Sequence, residues 1–216
     1  MEGTTVKRAK KIMGNNFIGP DEIKRISNRL NVFIPDRLPV IPFSVDELNQ
    51  KRDEWILILI LNRFSDGSFI TINSLRNHFG IDPDISEPCF YNQDWYLGEE
   101  FVNKIDKEGW LLLKKRSEDS LRALDPSNNV ENVQDSIKFM SAISCVYVFF
   151  ICFLTIDLNL WMEDYIWCSD KDTLNDRIYI GRYADTNALN KKGLEIHRHL
   201  RIKNNFTMNL FKAASE

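Results

Sequence analysis

Residues 145–154 read CVYVFFICFL, the centre of a stretch from Phe139 to Ile156 that holds no charge and is closed by Lys138 and Asp157. Whether this stretch crosses a bilayer or fills the core of a soluble domain decides the fold. It passes the lower length limit for a spanning helix, about 17 residues. Its composition argues the other way: Ser141, Ser144, Thr155, Cys145 and Cys152 interrupt it, and Leu154 is its one leucine. Acidic residues follow it at Asp157, Glu163 and Asp164, with no Lys or Arg before Lys171. A positive-inside topology would keep residues 1–138 in the cytoplasm and export a C-terminal hairpin carrying Cys168, an awkward arrangement.

Periodicity favours the core. Val130, Val133, Ile137, Met140, Ser144, Tyr147, Ile151 and Leu154 recur at alternating spacings of three and four, which predicts one continuous helix. The stripe begins among Glu131, Asn132, Gln134 and Asp135, and a second stripe of Phe139, Ile143, Val146, Phe150 and Phe153 joins it later. Such a helix enters a core from its surface. A second apolar stretch, WILILIL from Trp55 to Leu61, is too short to span a membrane and offers a packing partner. It follows a capping-box pair, Ser44 and Glu47, with Phe43 placed to staple onto Leu48, so it is expected to continue that helix. The expected centre is therefore two buried helices, near 44–63 and 130–156, with Tyr147 and Ile151 against Trp55–Leu61.

Working outward, Pro20 with Asp21 and Glu22 opens a helix, and the three prolines of residues 35–42 (PDRLPVIP) make an irregular strap. Leu75 and Phe79 lie on a short helix stopped by Gly80, and another helix is expected to start near Asp94. WLLLKKR (110–116) has strand character. DYIWCSD and DRIYIGRYAD form a hairpin, and GLEIHRHLRI adds a third strand. The tail from Asn204 is expected to dock as a short helix or fray. The expected fold class is α+β: a helical body around two central helices, with a small antiparallel sheet from residues 110–116 and 164–198. Residues 1–16 form a basic N-terminal arm (Lys7, Arg8, Lys10, Lys11). Residues 17–216 form a single domain, helical over 17–156 with a hairpin subdomain over 157–216.

Composition is ordinary for a folded domain, with 44% hydrophobic and 27% charged residues. A formal net charge of −3 gives no global attraction to nucleic acid or to an anionic membrane. Cys89, Cys145, Cys152 and Cys168 make no CxxC pair and no disulfide framework, which points to a reducing cytoplasm. The basic N-terminus is followed by no apolar signal region. A bias to Asn, Ile and Lys suits an AT-rich genome, such as that of a bacterium or its mobile elements.

No G-x-G-x-x-G or GK[ST] cradle occurs, so nucleotide and nicotinamide chemistry are not expected. His197 and His199, two apart, would share one face of a strand, but no third metal ligand stands near them in sequence. The plainer role is two polar residues on an edge strand; His78 likewise suits a helix surface. Asp164, Asp170, Asp172 and Asp176 surround the hairpin. Asp170-x-Asp172 hints at a calcium loop, yet Asn175 and Gly181 stand where its glycine and bidentate glutamate belong, so a solvated turn is expected. Asp170, Asp172 and His197 could also be drawn together as a hydrolytic trio, a combination common by chance.

Arg177, Arg182, Lys191, Lys192, Arg198, Arg201 and Lys203 make the C-terminal sheet locally basic, with Tyr179 and Tyr183 interleaved. Candidate contacts for nucleic acid or a partner are Arg177, Arg182, Tyr183, His197, Arg198, His199 and Arg201. Within CFYNQDWY, Phe90, Tyr91, Trp95 and Tyr96 are candidate partner-binding aromatics. The expected function is that of a soluble cytoplasmic interaction or assembly protein without catalytic activity, cofactor or metal, whose partners are proteins or further copies of itself. The alternatives are a nucleic-acid-binding or nucleic-acid-processing protein using the basic sheet and a single-span membrane protein.

Overall fold

The WILILIL stretch is a strand, and that overturns the expected architecture. In the computed structural model, which describes residues 4–124, 139–162, 164–182, 193–198 and 206–213, helix α3 (Val45–Lys51) ends in a turn over residues 52–54. Strand β2 (Trp55–Ile60) follows at once. Ser44 caps α3 as expected, its hydroxyl accepting from the Glu47 N–H. What stops the helix is the demand of the next segment: β2 pairs parallel with β1 (Phe17–Ile18) and antiparallel with β3 (Gly109–Lys114). All six β2 residues are buried. A strand covered on both faces has no polar side to alternate with, so its sequence carries no period of two.

Among the described residues the helical body with a small hairpin is thus replaced by two four-stranded mixed sheets with five short helices. The first sheet runs β1-β2-β3 and ends on β8 (Phe211–Lys212). The second contains β4 (Tyr165–Lys171), β5 (Arg177–Arg182), β6 (Leu194–His197) and β7 (Phe206–Thr207), in the order β6-β5-β4-β7. The tail therefore contributes an edge strand to each sheet. β4 and β5 form the predicted hairpin, with residues 172–176 as its loop, and β6 is the predicted third strand.

Helix α5 (Ala142–Ile156) lies between the sheets. Tyr147 donates to the Leu59 carbonyl of β2, as its expected burial against this segment requires, and Cys145 sits 3.8 Å from Cys168 of β4, sulfur to sulfur. This accounts for CVYVFFICFL: from Cys145 to Cys152 the helix is buried on every side, so it is apolar all round, and only its last turn is partly exposed. Its 15 residues extend about 22 Å, less than a bilayer core of about 30 Å. No helix among the described residues is long and apolar enough to cross a membrane. The helix starts later than its stripe predicts, since Phe139 to Ser141 are not helical and residues 130–138 lie outside the described residues. Without acids of its own in the first turn, α5 borrows them. Asp170 accepts from the Ala142 N–H at 2.6 Å, and Asp106 accepts from the Ser141 and Ser144 hydroxyls.

The remaining helices are α1 (Val6–Met13), α2 (Pro20–Arg25) and α4 (Ile72–Phe79), the last stopped by Gly80 at φ 69° as predicted. α1 buries Ala9 and Met13 and packs on α3. The proline strap is pinned in its middle by Trp110 Nε1 donating to the Pro39 carbonyl and just past its end by Thr4 donating to the Phe43 carbonyl. No α-helix starts at Asp94. Turns occupy that region up to a short 3-10 segment, Glu100–Asn103, because Trp95 Nε1 is bonded to the Ile196 carbonyl of β6 and Tyr96 is buried.

Candidate functional site

The two groups of candidate residues, distant in sequence, meet at β6. Phe90 bridges to Leu194, Tyr91 N–H donates to the Leu194 carbonyl, and Gln93 and Trp95 bond to the backbone of Ile196. On the face of the second sheet away from α5, cross-strand register sets two rows: Trp167, Tyr179 and His197 in one, Tyr165, Gly181 and Glu195 in the other. The Tyr165 ring passes over Gly181, where a Cβ would come within 2.7 Å of it, and its hydroxyl donates to Glu195. The same carboxylate receives His197 Nε2 at 3.0 Å. With its proton on Nε2, His197 accepts at Nδ1 from the Gln93 amide, 3.3 Å away. Tyr165, Trp167, Tyr179 and Phe206 pack edge to face and stacked around this chain of bonds. Burial raises the Tyr179 hydroxyl well above its ordinary pKa, with Glu195 adding to the effect, so it stays protonated.

A buried carboxylate joined to a tyrosine and a histidine can orient an imidazole or pass a proton. No Ser, Thr or Cys side chain bonds to His197 among the described residues, and none of their His, Cys, Asp and Glu residues gather in threes that could hold a metal. Asp170, Asp172 and His197 do not form a trio. Asp170 faces Lys104 and α5, whereas Asp172 binds the Leu174 and Asp176 N–H groups of the hairpin loop and the Arg198 guanidinium. Burial pushes the Asp172 carboxyl up, but Arg198 and the backbone donors outweigh it and hold the group below the usual carboxylate range.

The basic side chains of this sheet are engaged by their own chain. Arg198 pairs with Asp172 at 2.7 Å and Glu99 at 3.4 Å and stacks 4.5 Å above Trp95. Arg182 pairs with Glu87 and donates to Asn159, and Arg177 donates to the Cys168 carbonyl and covers Phe139. Tyr183, His199 and Arg201, with Lys191, Lys192 and Lys203, lie outside the described residues. Of the four candidate aromatics, Phe90 and Tyr96 are buried and Tyr91 and Trp95 half-buried. His78 is exposed, its Nε2 2.6 Å from the Arg29 carbonyl.

Sequence reasoning missed a different surface. Antiparallel bridges join Val32 to Phe64 and Arg63 to Phe69, and the Phe33 N–H donates to the Arg63 carbonyl. This register places Phe33, Arg63 and Phe69 in one outward row, while Val32 and Phe64 turn to the protein. Phe33 and Phe69 are 47% and 39% exposed. Arg63 lies 4.1 Å above the Phe69 ring with one Nη bonded to the Gly67 carbonyl, and no carboxylate pairs with it among the described residues. The available signal was Asp66-Gly67 between two apolar segments, a hairpin dipeptide, with Gly67 at φ 89°.

Comparisons with protein-family models, curated proteins and solved structures give no match to this chain.

Proposed function

We propose that the protein is a non-catalytic interaction protein that presents the Phe33, Arg63 and Phe69 row to an acidic patch on a protein partner. The observation that supports this is an exposed arginine between two exposed aromatic rings, fixed by a backbone ladder and lacking a counter-charge among the described residues. Aromatic and arginine side chains dominate the energetics of protein interfaces, and a guanidinium already stacked on a ring loses little freedom when a carboxylate arrives. Neutral partner surfaces would leave that cation unpaired on binding, which favours an acidic one.

The test is reconstitution. A protein retained by the wild type would be purified and titrated calorimetrically against wild type and against Arg63→Ala and Phe69→Ala. Truncation of an interface anchor is expected to weaken binding by about 2 kcal/mol, roughly thirtyfold, with unfolding temperature unchanged. Equal affinity for wild type and both variants would overturn this reading.

A further inference from the structure

The first turn of helix α1 carries charges that the helix dipole disfavours. Acids belong in the first turn of a helix, beside its positive end, and α2 and α3 obey with Asp21, Glu22, Asp46 and Glu47. The first turn of α1 holds no acid; it holds Lys7 and Arg8. Lys11, one turn beyond Lys7, adds a like charge at i,i+4, an unfavourable pair on a helix surface. Lys7, Arg8 and Lys11 are exposed, and none has an ion-pair partner among the described residues. Lys10 differs, being tied to Asp21 and Glu22 on the inner side. Lys7 and Arg8 are thus kept basic against the helix dipole, while Lys11 in the last turn agrees with it.

The face continues past the helix. Asn16, just after α1, donates to the Arg52 carbonyl and accepts from Lys115 at 3.3 Å. Lys115 lines a cleft of about 710 Å³ together with Arg116, and neither pairs with a carboxylate among the described residues; Asp53 and Glu54, which line the same cleft, lie near Arg52 and Lys114. Five such cations thus lie on α1 and in the cleft that Lys115 joins to the end of α1 through Asn16. The apolar side of α1 is spent on Ala9 and Met13, so none remains to insert into lipid, and no aromatic anchor suited to a protein interface stands on the face.

We infer that this group of cations binds the phosphate backbone of a nucleic acid without reading its sequence. It is a separate surface from the Phe33, Arg63 and Phe69 row. The test uses anisotropy of a fluorescein-labelled 20-base-pair DNA at 50 and 200 mM NaCl. Contacts to about four phosphates give a log-log salt slope near −3.6, so affinity should fall on the order of a hundredfold over that range. The triple variant Lys7→Glu, Arg8→Glu, Lys11→Glu should lose at least tenfold at 50 mM salt and flatten the slope. Its unfolding temperature should change little, because acids at positions 7 and 8 suit the first turn of α1 and offset the acid at position 11 in the last turn. Arg63→Glu should bind DNA like the wild type, which separates this result from that of the interaction surface. Absence of binding at 50 mM salt, or wild-type binding by the triple variant, would overturn the inference. So would capture by phosphatidylserine vesicles without capture of DNA.

Discussion

Gly181 is the position where one methyl group should do the most damage. It stands between Tyr165 and Glu195 in cross-strand register, and a Cβ there would fall on the Asp164 carbonyl oxygen and 2.7 Å from Tyr165 Cδ1. Neither neighbour can move freely: the backbone is fixed by the β4–β5 ladder and the ring is packed against Tyr179 and Phe206. Gly181→Ala is therefore expected to cost about 1–3 kcal/mol in overpacking. Displacing the ring also breaks the bond from Tyr165 to the buried Glu195, a charge-assisted bond worth about 1.5–3 kcal/mol. The total, about 2.5–6 kcal/mol, is a large fraction of the 5–15 kcal/mol typical of a domain. Urea unfolding followed by circular dichroism measures it, with Tyr165→Phe made in both backgrounds. Tyr165→Phe should cost about 1.5–3 kcal/mol in the wild type and less than about 0.5 kcal/mol in the Gly181→Ala background. A loss under about 1 kcal/mol for Gly181→Ala, or an equal Tyr165→Phe effect in both backgrounds, would refute the reasoning.

Phe150 is fully buried in α5 and stacks 4.2 Å from Phe79, so Phe150→Ala should cost about 3–5 kcal/mol in the same assay. Arg198→Gln should destabilise by about 2 kcal/mol near neutral pH, since it removes the cation paired with Asp172 and Glu99. The Asp172 carboxyl titrates lower in the native protein than in the unfolded chain, so its contribution is present above the ordinary carboxylate pKa and lost as pH falls through the native value. The gap between wild type and Arg198→Gln should accordingly close below about pH 4 in an acid titration. All four cysteines are buried, with Cys89 pushed up to about 11 by burial, Cys152 pushed up further and Cys168 also raised, chiefly by burial. Native protein at pH 8 should therefore leave Ellman's reagent uncoloured until denaturant is added; rapid reaction of any thiol would show the core to be open.

Local signals survived the passage from sequence to structure. The Ser44 cap, the Gly80 stop, the β4–β5 hairpin and the enclosed helix around CVYVFFICFL were legible because each depends on neighbours within about one or two turns of chain. The identity of WILILIL was not. Ile56, Ile58 and Ile60 alternate with Leu57, Leu59 and Leu61, but with every position apolar the two periods cannot be told apart, and no Gly or Pro separates Lys51 from Trp55. What makes the segment a strand is pairing with Phe17–Ile18 and Gly109–Lys114, some 40 and 50 residues away. The site shows the same division. The two sequence neighbourhoods singled out, around Trp95 and around His197, do converge, yet the pairing of Gln93 with His197 and of Trp95 with Arg198 lies about a hundred residues apart in the chain.

Net charge was the least informative of the sequence readings, for a reason the structure supplies. Five carboxylates, Glu22, Glu99, Asp170, Asp172 and Glu195, are buried, and each holds a backbone donor, a hydroxyl or a cation of its own chain. Charges spent this way shape the fold: they cap α5, close the hairpin loop and fix His197. Their partners Lys10, Lys104 and Arg198 are spent with them, so the formal −3 says little about what an approaching molecule meets. That molecule meets local fields. The cations Lys7, Arg8 and Lys11 of α1, with Lys115 and Arg116 of the 710 Å³ cleft, are unopposed at contact distance by any carboxylate of the described residues, and at physiological salt a field is felt over about 8 Å. Distribution and not total charge therefore decides whether this acidic protein attracts a polyanion.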